Sequence, residues 1–308
     1  MKKYKYSLII CLSLSILFLA CKKEDVVEPF PTLAAYITKN TDVSTFNAAI
    51  EKAGLQSFKN GGGPFTWFMP TNAAMQAAGI TEDSVARMTQ GEASFFATYH
   101  IVNARFATRD MIALYSFPRN TLQGSAIYTG GGETGGFYVN GIKIVSPDNE
   151  VTGGLVHKIA KVMVPLPTVG NIQAILNKTG QHALFIAALV KANKWTQFSS
   201  ATAYTVLAPT DAAMTSAGLT SAVITSSTMG RIDSIVRYHY FNSSRLFTND
   251  FGNKETPQTA LGAGRTITAS GNGMVFKGKT NAAPVNVTTA NLLGINGVVH
   301  IIDGVLRF

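Results

Sequence analysis

The chain contains very little cysteine and few charged side chains. Among its 308 residues there are two cysteines, and 14% of the residues are Asp, Glu, Lys or Arg. Both cysteines, Cys11 and Cys21, lie near the N-terminus, so disulfides and thiol chemistry are excluded from all of the chain that follows. The fold must therefore depend on apolar cores, and the chain is long enough for two cores of ordinary size.

The charge that is present is basic but dispersed. The formal net charge is +9, and no block of five like charges occurs. Such a block would be typical of a nucleic-acid-binding arm, so no nucleic-acid partner is expected. A mildly basic surface instead favours anionic glycans or lipid headgroups.

The usual motifs of enzyme and metal sites are also lacking. The sequence contains no HxxxH, HExxH or G-x-S-x-G pattern. Only Asp110 and Asp250 recur as acids, each in a T-x-D phrase five residues after an arginine, Arg105 or Arg245. One such carboxylate in each half does not provide an acid and a base. We expect a surface ion pair or a turn cap here, and no catalytic, cofactor-binding or metal-ligating residue.

One phosphate-loop pattern is present. "GMVFKGKT", from Gly273 to Thr280, matches G-x-x-x-x-G-K-[ST]. A phosphate loop must lead into a helix, because the backbone N–H groups at the helix start hold the anion. Here "NAAPVNV" follows, with Pro284 and β-branched residues where that helix would be. The segment therefore predicts a hairpin, as "GGGETGG" from Gly130 to Gly136 predicts a loop.

The N-terminus resembles an export signal. "MKKYKYSLIICLSLSILFLAC" has three lysines and then an apolar run from Leu8 to Ala20, which is short for a bilayer span of about 20 residues. Its end, "LFLAC", resembles the lipobox of bacterial lipoproteins, and the alternative is an ordinary cleaved signal. The resemblance implies a signal peptide at residues 1–20 and a lipid attached to Cys21, which anchors the protein to a membrane without spanning it.

A short charged segment follows the lipobox. Residues 21–30 are predicted to be a tether, in which Lys23, Glu24 and Asp25 resemble a signal for the outer face of a Gram-negative outer membrane. We therefore expect a lipid-anchored protein of the outer membrane at the cell surface, and a periplasm-facing anchor is the alternative.

The rest of the chain is a repeat. "FTWFMPTNAAMQAAGIT" begins at Phe65, and "YTVLAPTDAAMTSAGLT" begins at Tyr204. The two copies lie too far apart in the sequence to be units of a solenoid, and their spacing suits two globular domains. We predict domains at residues 31–165 and 166–308, joined by the proline-containing segment "VPLPTVG".

Each repeat reads as a mixture of helix and strand. "STFNAAIEKAG" and "HALFIAALVKAN" have helical spacing of apolar residues. "FTWFM" and "YTVLA" are strand-like and stop at Pro70 and Pro209. Thr71 with Asn72, or Thr210 with Asp211, can then cap a short helix. The repeated text thus has a complete structural explanation.

The repeated motifs also resemble those of the fasciclin domain. The order is [FY]-T-x-x-x-P-T-[ND]-A-A, then Y-H, then [NG]-G-[LV]-V-H-x-I, and it occurs twice between about residues 31 and 308. The resemblance implies an α+β fold of two fasciclin-like domains, each a wedge-shaped β-sandwich of about seven strands with several helices.

The Y-H motifs are the candidate interaction residues. In animal relatives this motif has been linked to receptor binding, which implies a role for Tyr99, His100, Tyr238 and His239. The spacing of apolar residues argues against this role. His239 ends an apolar stripe that begins at Ile232 on one face of a predicted helix, so its side chain is expected to point into a core. His157 and His300, in valine-rich strands, are expected to be buried as well.

The sequence therefore favours a non-enzymatic surface lipoprotein. The resemblance implies adhesion to, or assembly with, surface protein or polysaccharide, including a role as accessory subunit of an outer-membrane nutrient importer beside a TonB-dependent transporter. Two alternatives remain open. One is a carbohydrate-active hydrolase with a site at the domain junction, and the other is a small-molecule binding module.

Overall fold

The computed structural model describes residues 30–111, 116–132, 135–165, 170–252 and 255–308. The predicted signal peptide, Cys21 and all but the last residue of the tether lie outside the described residues. Pro31–Phe308 form one compact unit. In the parts described, no helix is both long and apolar enough to cross a bilayer.

The first half of this unit contains five α-helices and seven strands within its described residues. The helices are α1 (Leu33–Lys39), α2 (Ser44–Lys52), α3 (Asn72–Ala77), α4 (Glu82–Arg87) and α5 (Gln90–Tyr99). The strands are β1 (Phe65–Pro70), β2 (Ile101–Val102), β3 (Phe117–Asn120), β4 (Ala126–Gly131), β5 (Phe137–Val139), β6 (Ile142–Val151) and β7 (Gly154–Ile159). They form one sheet in the order β2-β1-β7-β6-β5-β4-β3, and a bridge between Val102 and Thr121 draws its two edges together.

The second half repeats this arrangement. Its described helices are α6 (Ile172–Thr179), α7 (Ala183–Lys191), α8 (Asp211–Ser216), α9 (Ser221–Ser226), α10 (Met229–Arg237) and α11 (Thr248–Phe251). Its strands are β8 (Tyr204–Pro209), β9 (Tyr240–Asn242), β10 (Thr268–Ser270), β11 (Val275–Lys277), β12 (Val285–Gly294) and β13 (Gly297–Ile302). The sheet order is β10-β11-β12-β13-β8-β9. Two curled sheets of seven and six strands with helices confirm the predicted fold class.

The central strands of each sheet are buried on both faces. β1 lies parallel to β7, and β8 lies parallel to β13, and all residues of these four strands are buried. Because side chains alternate along a strand, Trp67 and Met69 pack under the helices while Phe68 packs on the other side of the sheet. Each described apolar cluster belongs to one half only, so the two halves have separate cores.

A buried threonine explains the second letter of each repeated phrase. The Thr66 hydroxyl donates to the carbonyl of Ala104 at 2.6 Å and accepts from the N–H of Phe106 at 2.8 Å. Thr205 makes the same two bonds with Ser244 and Leu246, at 3.0 and 2.8 Å. A side chain that is both donor and acceptor thus attaches the loop after β2 or β9 to the core.

The strand, proline and capped helix predicted for each repeat are confirmed. Thr71 and Thr210 accept hydrogen bonds from the N–H groups of Ala74 and Ala213 at the starts of α3 and α8. These bonds satisfy backbone donors that the first turn of a helix leaves free.

The residue after each capping threonine caps a different helix. The Asn72 side chain accepts from the N–H of Thr45 at 3.1 Å, and the Asp211 side chain accepts from the N–H of Leu184 at 2.7 Å. Both donors lie in the first turn of α2 or α7, and neither of these helices has a side-chain cap of its own. The P-T-[ND] phrase therefore holds two helices at once.

The two glycine-rich segments differ from each other. The phosphate-loop pattern is a hairpin, as predicted, because β11 pairs with β10 and β12, and residues 281–308, all of them described, contain no helix. The loop prediction for "GGGETGG" is wrong at its start, since Gly130 and Gly131 belong to β4 and pair with β5. Because glycine is depleted in strands, the sequence pattern did not predict that β4 extends through these two residues.

Candidate functional site

The histidines of the two Y-H motifs are internal. His100 and His239 have no exposed surface. Each ring donates through Nδ1 to a carbonyl one turn earlier in its helix, at 3.0 and 2.8 Å. Each Nε2 accepts from a backbone N–H beyond the last strand of its half, from Met163 at 3.1 Å or Leu306 at 2.9 Å. These histidines join the end of a helix to the segment that follows β7 or β13.

The histidines of the third repeated motif, His157 and His300, use their ring nitrogens in the opposite roles, because Nε2 donates and Nδ1 accepts. His157 and His300 are fully buried in β7 and β13. Their Nε2 atoms donate to the carbonyls of Phe106 and Leu246, at 2.8 and 2.9 Å. Their Nδ1 atoms accept from N–H groups in β6 and β12, at 3.0 and 3.3 Å.

These four rings are neutral, and none of their nitrogens is free to bind a metal or to react with a substrate. Burial lowers the pKa of His100, His239 and His300 to about 4. Burial also lowers the pKa of His157, which the hydrogen bond to the Phe106 carbonyl and the nearby Asp148 carboxylate only partly offset. Its Nδ1 accepts a backbone N–H and carries no proton, so the contact with Asp148 at 4.0 Å is not an ion pair. Both nitrogens of each ring are bonded to backbone groups, which leaves no lone pair for a metal or a substrate.

The tyrosines of the Y-H motifs are also internal. Tyr99 and Tyr238 have no exposed surface. The Tyr238 hydroxyl donates to the carbonyl of Thr266 at 2.7 Å. Burial raises the pKa of Tyr99 to about 12. The structure therefore places all four candidate interaction residues inside the two halves, where a partner docked on this conformation does not reach them.

The recurrent aspartates are turn caps. Asp110 accepts from the N–H of Ala107 at 2.9 Å, and Asp250 accepts from the N–H of Phe247 at 2.8 Å. The arginine five residues upstream binds elsewhere in each case, because Arg105 pairs with Glu150 and Arg245 donates to a backbone carbonyl. The turn cap of the two predicted alternatives is the one observed. Within the described segments, no group of three or more His, Cys, Asp or Glu side chains could hold a metal ion.

A bulge in β6 and in β12 brings one polar side chain to the surface of each half. Asp148 and Asn291 occupy these bulges with φ of 52° and 61°, a region that Asp and Asn adopt more readily than other side chains. Both side chains accept from a threonine N–H at 2.9 Å, that of Thr108 or Thr248. Only Asn291 reaches the other half, where its amide donates to the carbonyl of Gly141 at 3.2 Å.

Further contacts among the described residues join the halves. The Ser116 hydroxyl donates to the buried carboxylate of Asp250 at 2.9 Å. The Tyr128 ring packs against the Phe247 ring at 5.9 Å between centroids, with the Arg245 guanidinium 5.3 Å from its centre. Hydrogen bonds and a cation–π contact together fix the orientation of the halves.

A groove of about 840 Å³ lies between the halves, beside the Asn291 contact. The first half contributes the turn between β5 and β6 and the segment after β7, and the second half contributes α6 and β12. The described lining includes three lysines and no aspartate or glutamate. Among the described lining residues there is therefore no pair of carboxylates such as a glycoside hydrolase at the junction would need.

Sequence reasoning did not find the groove or the contacts between the halves. The groove lysines come from three separated elements, so no local pattern marks them. One signal was available, because aligning the His157 and His300 motifs places Asp148 opposite Asn291. In this chain the difference between the copies coincides with the side chain that bonds across the junction.

Comparison with known proteins gives several relatives. Over 274 residues the chain is 25% identical to mouse Stabilin-2, covering 87% of this chain and 10% of that protein. It is also 25% identical to the pig transforming growth factor-beta-induced protein ig-h3, covering 88% of this chain and 38% of that protein. Protein sll1483 of Synechocystis is 29% identical over 136 residues, 44% of this chain and 73% of that protein. The chain thus spans a small part of the long animal relatives.

One solved structure and one family model match most of the chain, and the family model is the match that assigns the family. A solved FAS1 domain pair from the insect cell adhesion molecule Fasciclin I covers 88% of this chain and 98% of its own, with 17% identity and a TM-score of 0.39. The fasciclin domain model matches twice, at residues 41–165 and 180–308. The chain therefore belongs to the fasciclin family and carries two fasciclin domains in tandem.

Proposed function

We propose that the chain is a non-enzymatic, membrane-anchored lipoprotein whose two fasciclin domains bind protein or polysaccharide at a surface. One observation carries this proposal. The histidines, threonines and aspartates that both domains share are bonded to their own backbone, so the shared chemistry maintains the fold. Recognition then falls to the exposed faces, which differ between the domains.

The contacts between the domains support a paired binding module. Ser116 with Asp250 and Asn291 with Gly141 hold the two domains in one orientation. A partner that touches both domains gains affinity, because the second contact forms at a high effective concentration. Loss of the fixed orientation should then weaken binding while each domain remains folded.

The anchoring part of the proposal concerns Cys21. We expect lipid on this residue and exposure at the outer face of a Gram-negative outer membrane, with a periplasm-facing anchor as the alternative. Metabolic labelling with an alkyne palmitate should label the wild-type chain and the Cys11→Ser variant, and it should not label Cys21→Ser. Equal labelling of Cys21→Ser and wild type would exclude the lipid anchor.

The side of the membrane is tested separately. Protease added to intact cells should degrade the chain if it is displayed at the surface, while a periplasmic marker remains intact. Survival of the chain until the outer membrane is permeabilised would place it on the periplasmic face.

The partner is tested on detergent-solubilised membranes. Affinity purification of the full chain should recover a protein or a glycan in stoichiometric amount. A β-barrel transporter of the TonB-dependent class would identify the chain as an accessory subunit of nutrient uptake, and other surface partners would indicate adhesion. Recovery should fall for Gly141→Ala, which disturbs the junction, and not for Gly79→Ala, which lies away from it. If neither protein nor glycan is recovered, the binding function is wrong.

A further inference from the structure

The groove between the domains has the chemistry of a ligand site that the proposed adhesion does not use. We propose that it binds an amphipathic anion, a molecule with one phosphate or carboxylate group on an apolar body. This site lies inside the junction, whereas the proposed adhesion uses the outer faces. A test of the groove therefore does not depend on whether an adhesion partner is found.

The charged side chains in the described lining of the groove are all positive. Lys143 of β6, Lys161 after β7 and Lys178 of α6 all line it, and the described lining contains no acid. Within the part of the chain that the structure describes, none of the three forms an ion pair or a side-chain hydrogen bond. Two half-buried lysines elsewhere, Lys59 and Lys194, are paired with Glu51 and Asp233. Unpaired like charges around a concave surface raise the local positive potential and attract an anion.

The floor of the groove is apolar. Met163 and Ile175 are buried there, and Ile142, Leu292 and Leu293 are half-buried. An inorganic anion alone would leave these side chains in contact with water. An anion with an apolar body covers them and places its charged group among the lysines. The volume of about 840 Å³ lies in the range of pockets that hold small organic ligands.

The walls of the groove are held in place by the network already described. The Met163 N–H is bonded to His100, which positions the segment that carries Lys161. Asn291, which also lines the groove, donates to the Gly141 carbonyl on the opposite side. The two walls therefore keep their separation without a ligand, and binding requires little rearrangement.

Calorimetry with octyl phosphate tests the inference directly. The full chain is incorporated in phosphatidylcholine nanodiscs, and empty nanodiscs correct for partition of the probe into lipid. We expect saturable binding of one octyl phosphate per chain, with affinity that falls about two- to fourfold for each methylene removed in the hexyl and butyl compounds. Octanol and octyltrimethylammonium should give no saturable heat. Equal binding of octanol and octyl phosphate would overturn the role of the lysines.

Two variants of equal net charge separate the groove from general attraction. Lys143→Gln, Lys161→Gln and Lys178→Gln combined should weaken octyl phosphate binding by about tenfold or more. Lys39→Gln, Lys52→Gln and Lys277→Gln combined remove three exposed lysines outside the groove and should leave the affinity unchanged. All six positions are exposed, so both variants should fold and melt as the wild type does. The same loss in both variants would overturn the site.

The source of the anion is distinguished by the lipid. If the groove takes an anionic headgroup from the bilayer, nanodiscs containing phosphatidylglycerol should compete and reduce octyl phosphate binding. If it takes a free molecule, both kinds of nanodisc should give the same affinity. Absence of saturable binding in either lipid would exclude the site, and it would leave the recovery of an adhesion partner unaffected.

Discussion

Asp148 and Asn291 occupy the same bulge in the two domains, and only Asn291 bonds across the junction. Each residue donates its backbone N–H to the buried histidine of its own domain, His157 or His300. The Asn291 amide also donates to Gly141, which a carboxylate cannot do. The difference between a carboxylate and an amide at this position therefore determines which bulge bonds to the other domain and which remains open to solvent.

The first prediction exchanges these two side chains. Asn291→Asp should lose the bond to Gly141 and bring a carboxylate towards a carbonyl, lowering the free energy of unfolding by about 1–2 kcal/mol. Asp148→Asn is the matched control, since its amide can bond to Thr108 as Asn291 does to Thr248, and it should change stability by less than about 0.5 kcal/mol. Urea unfolding at pH 7 measures both. Equal losses would show that the contact with Gly141 contributes nothing.

The second prediction concerns a glycine at the junction. Gly141 and Gly79 both have φ of 72°, but a Cβ at Gly141 would overlap the Asn291 amide and a Cβ at Gly79 would meet nothing within 4 Å. Alanine at either position introduces backbone strain of about 1 kcal/mol. Gly141→Ala should lose about 1–3 kcal/mol more than Gly79→Ala, because the domains must separate slightly. Urea unfolding gives the difference, and small-angle scattering should show a larger radius of gyration for Gly141→Ala alone.

The third prediction is acid destabilisation by buried histidines. The pKa of His100, His239 and His300 is about 4 in the folded chain and about 6.5 in the unfolded chain. The unfolded state therefore binds more protons between these values. The contribution of these groups to stability is full above pH about 6.5 and is lost as the pH falls, at about 1.4 kcal/mol per pH unit for each histidine.

Urea unfolding between pH 7.5 and pH 4.5 measures this slope. His239→Gln keeps one donor and one acceptor at the site and removes one titrating group. Its stability should be lower than wild type at pH 7.5, and its slope should be shallower by about 1.4 kcal/mol per pH unit. An unchanged slope would mean that His239 is protonated in the folded protein.

The fourth prediction tests the buried threonine of the repeated phrase. Thr205→Val leaves the Leu246 N–H and the Ser244 carbonyl without their partner, which should lower the free energy of unfolding by about 2–3 kcal/mol. Thr205→Ser retains the hydroxyl and should cost about 1 kcal/mol or less through the lost methyl group. Thermal melting monitored by circular dichroism distinguishes them. Equal melting temperatures would indicate that the hydroxyl bonds are not important.

Local order along the chain was predictable because it follows from nearest neighbours. The proline that ends β1 or β8 and the threonine after it specify the end of a strand and the start of a helix, and both were found. The apolar stripe ending at His239 likewise predicted its burial. Each of these inferences needs only the residues within about two turns.

Contacts between distant segments were not predictable in the same way. Asn72 was expected to help to cap its own helix, and its side chain caps α2 instead, since the fold brings Thr45 within 3.1 Å. The lysines of the groove line one surface only after segments of both domains have packed together. A single sequence carries the identity of such residues but not their distance.

The bond between His100 and Met163 also has a mechanical consequence. If the chain is anchored at one end and bound to a partner at the other, as we propose, it carries tension, and β7 is the last strand of the first domain along the path of that load. This strand lies between β1 and β6, and the histidine holds the segment just beyond its end. A load along that segment must break the histidine bond and then shear two rows of ladder bonds together, rather than peel them one at a time.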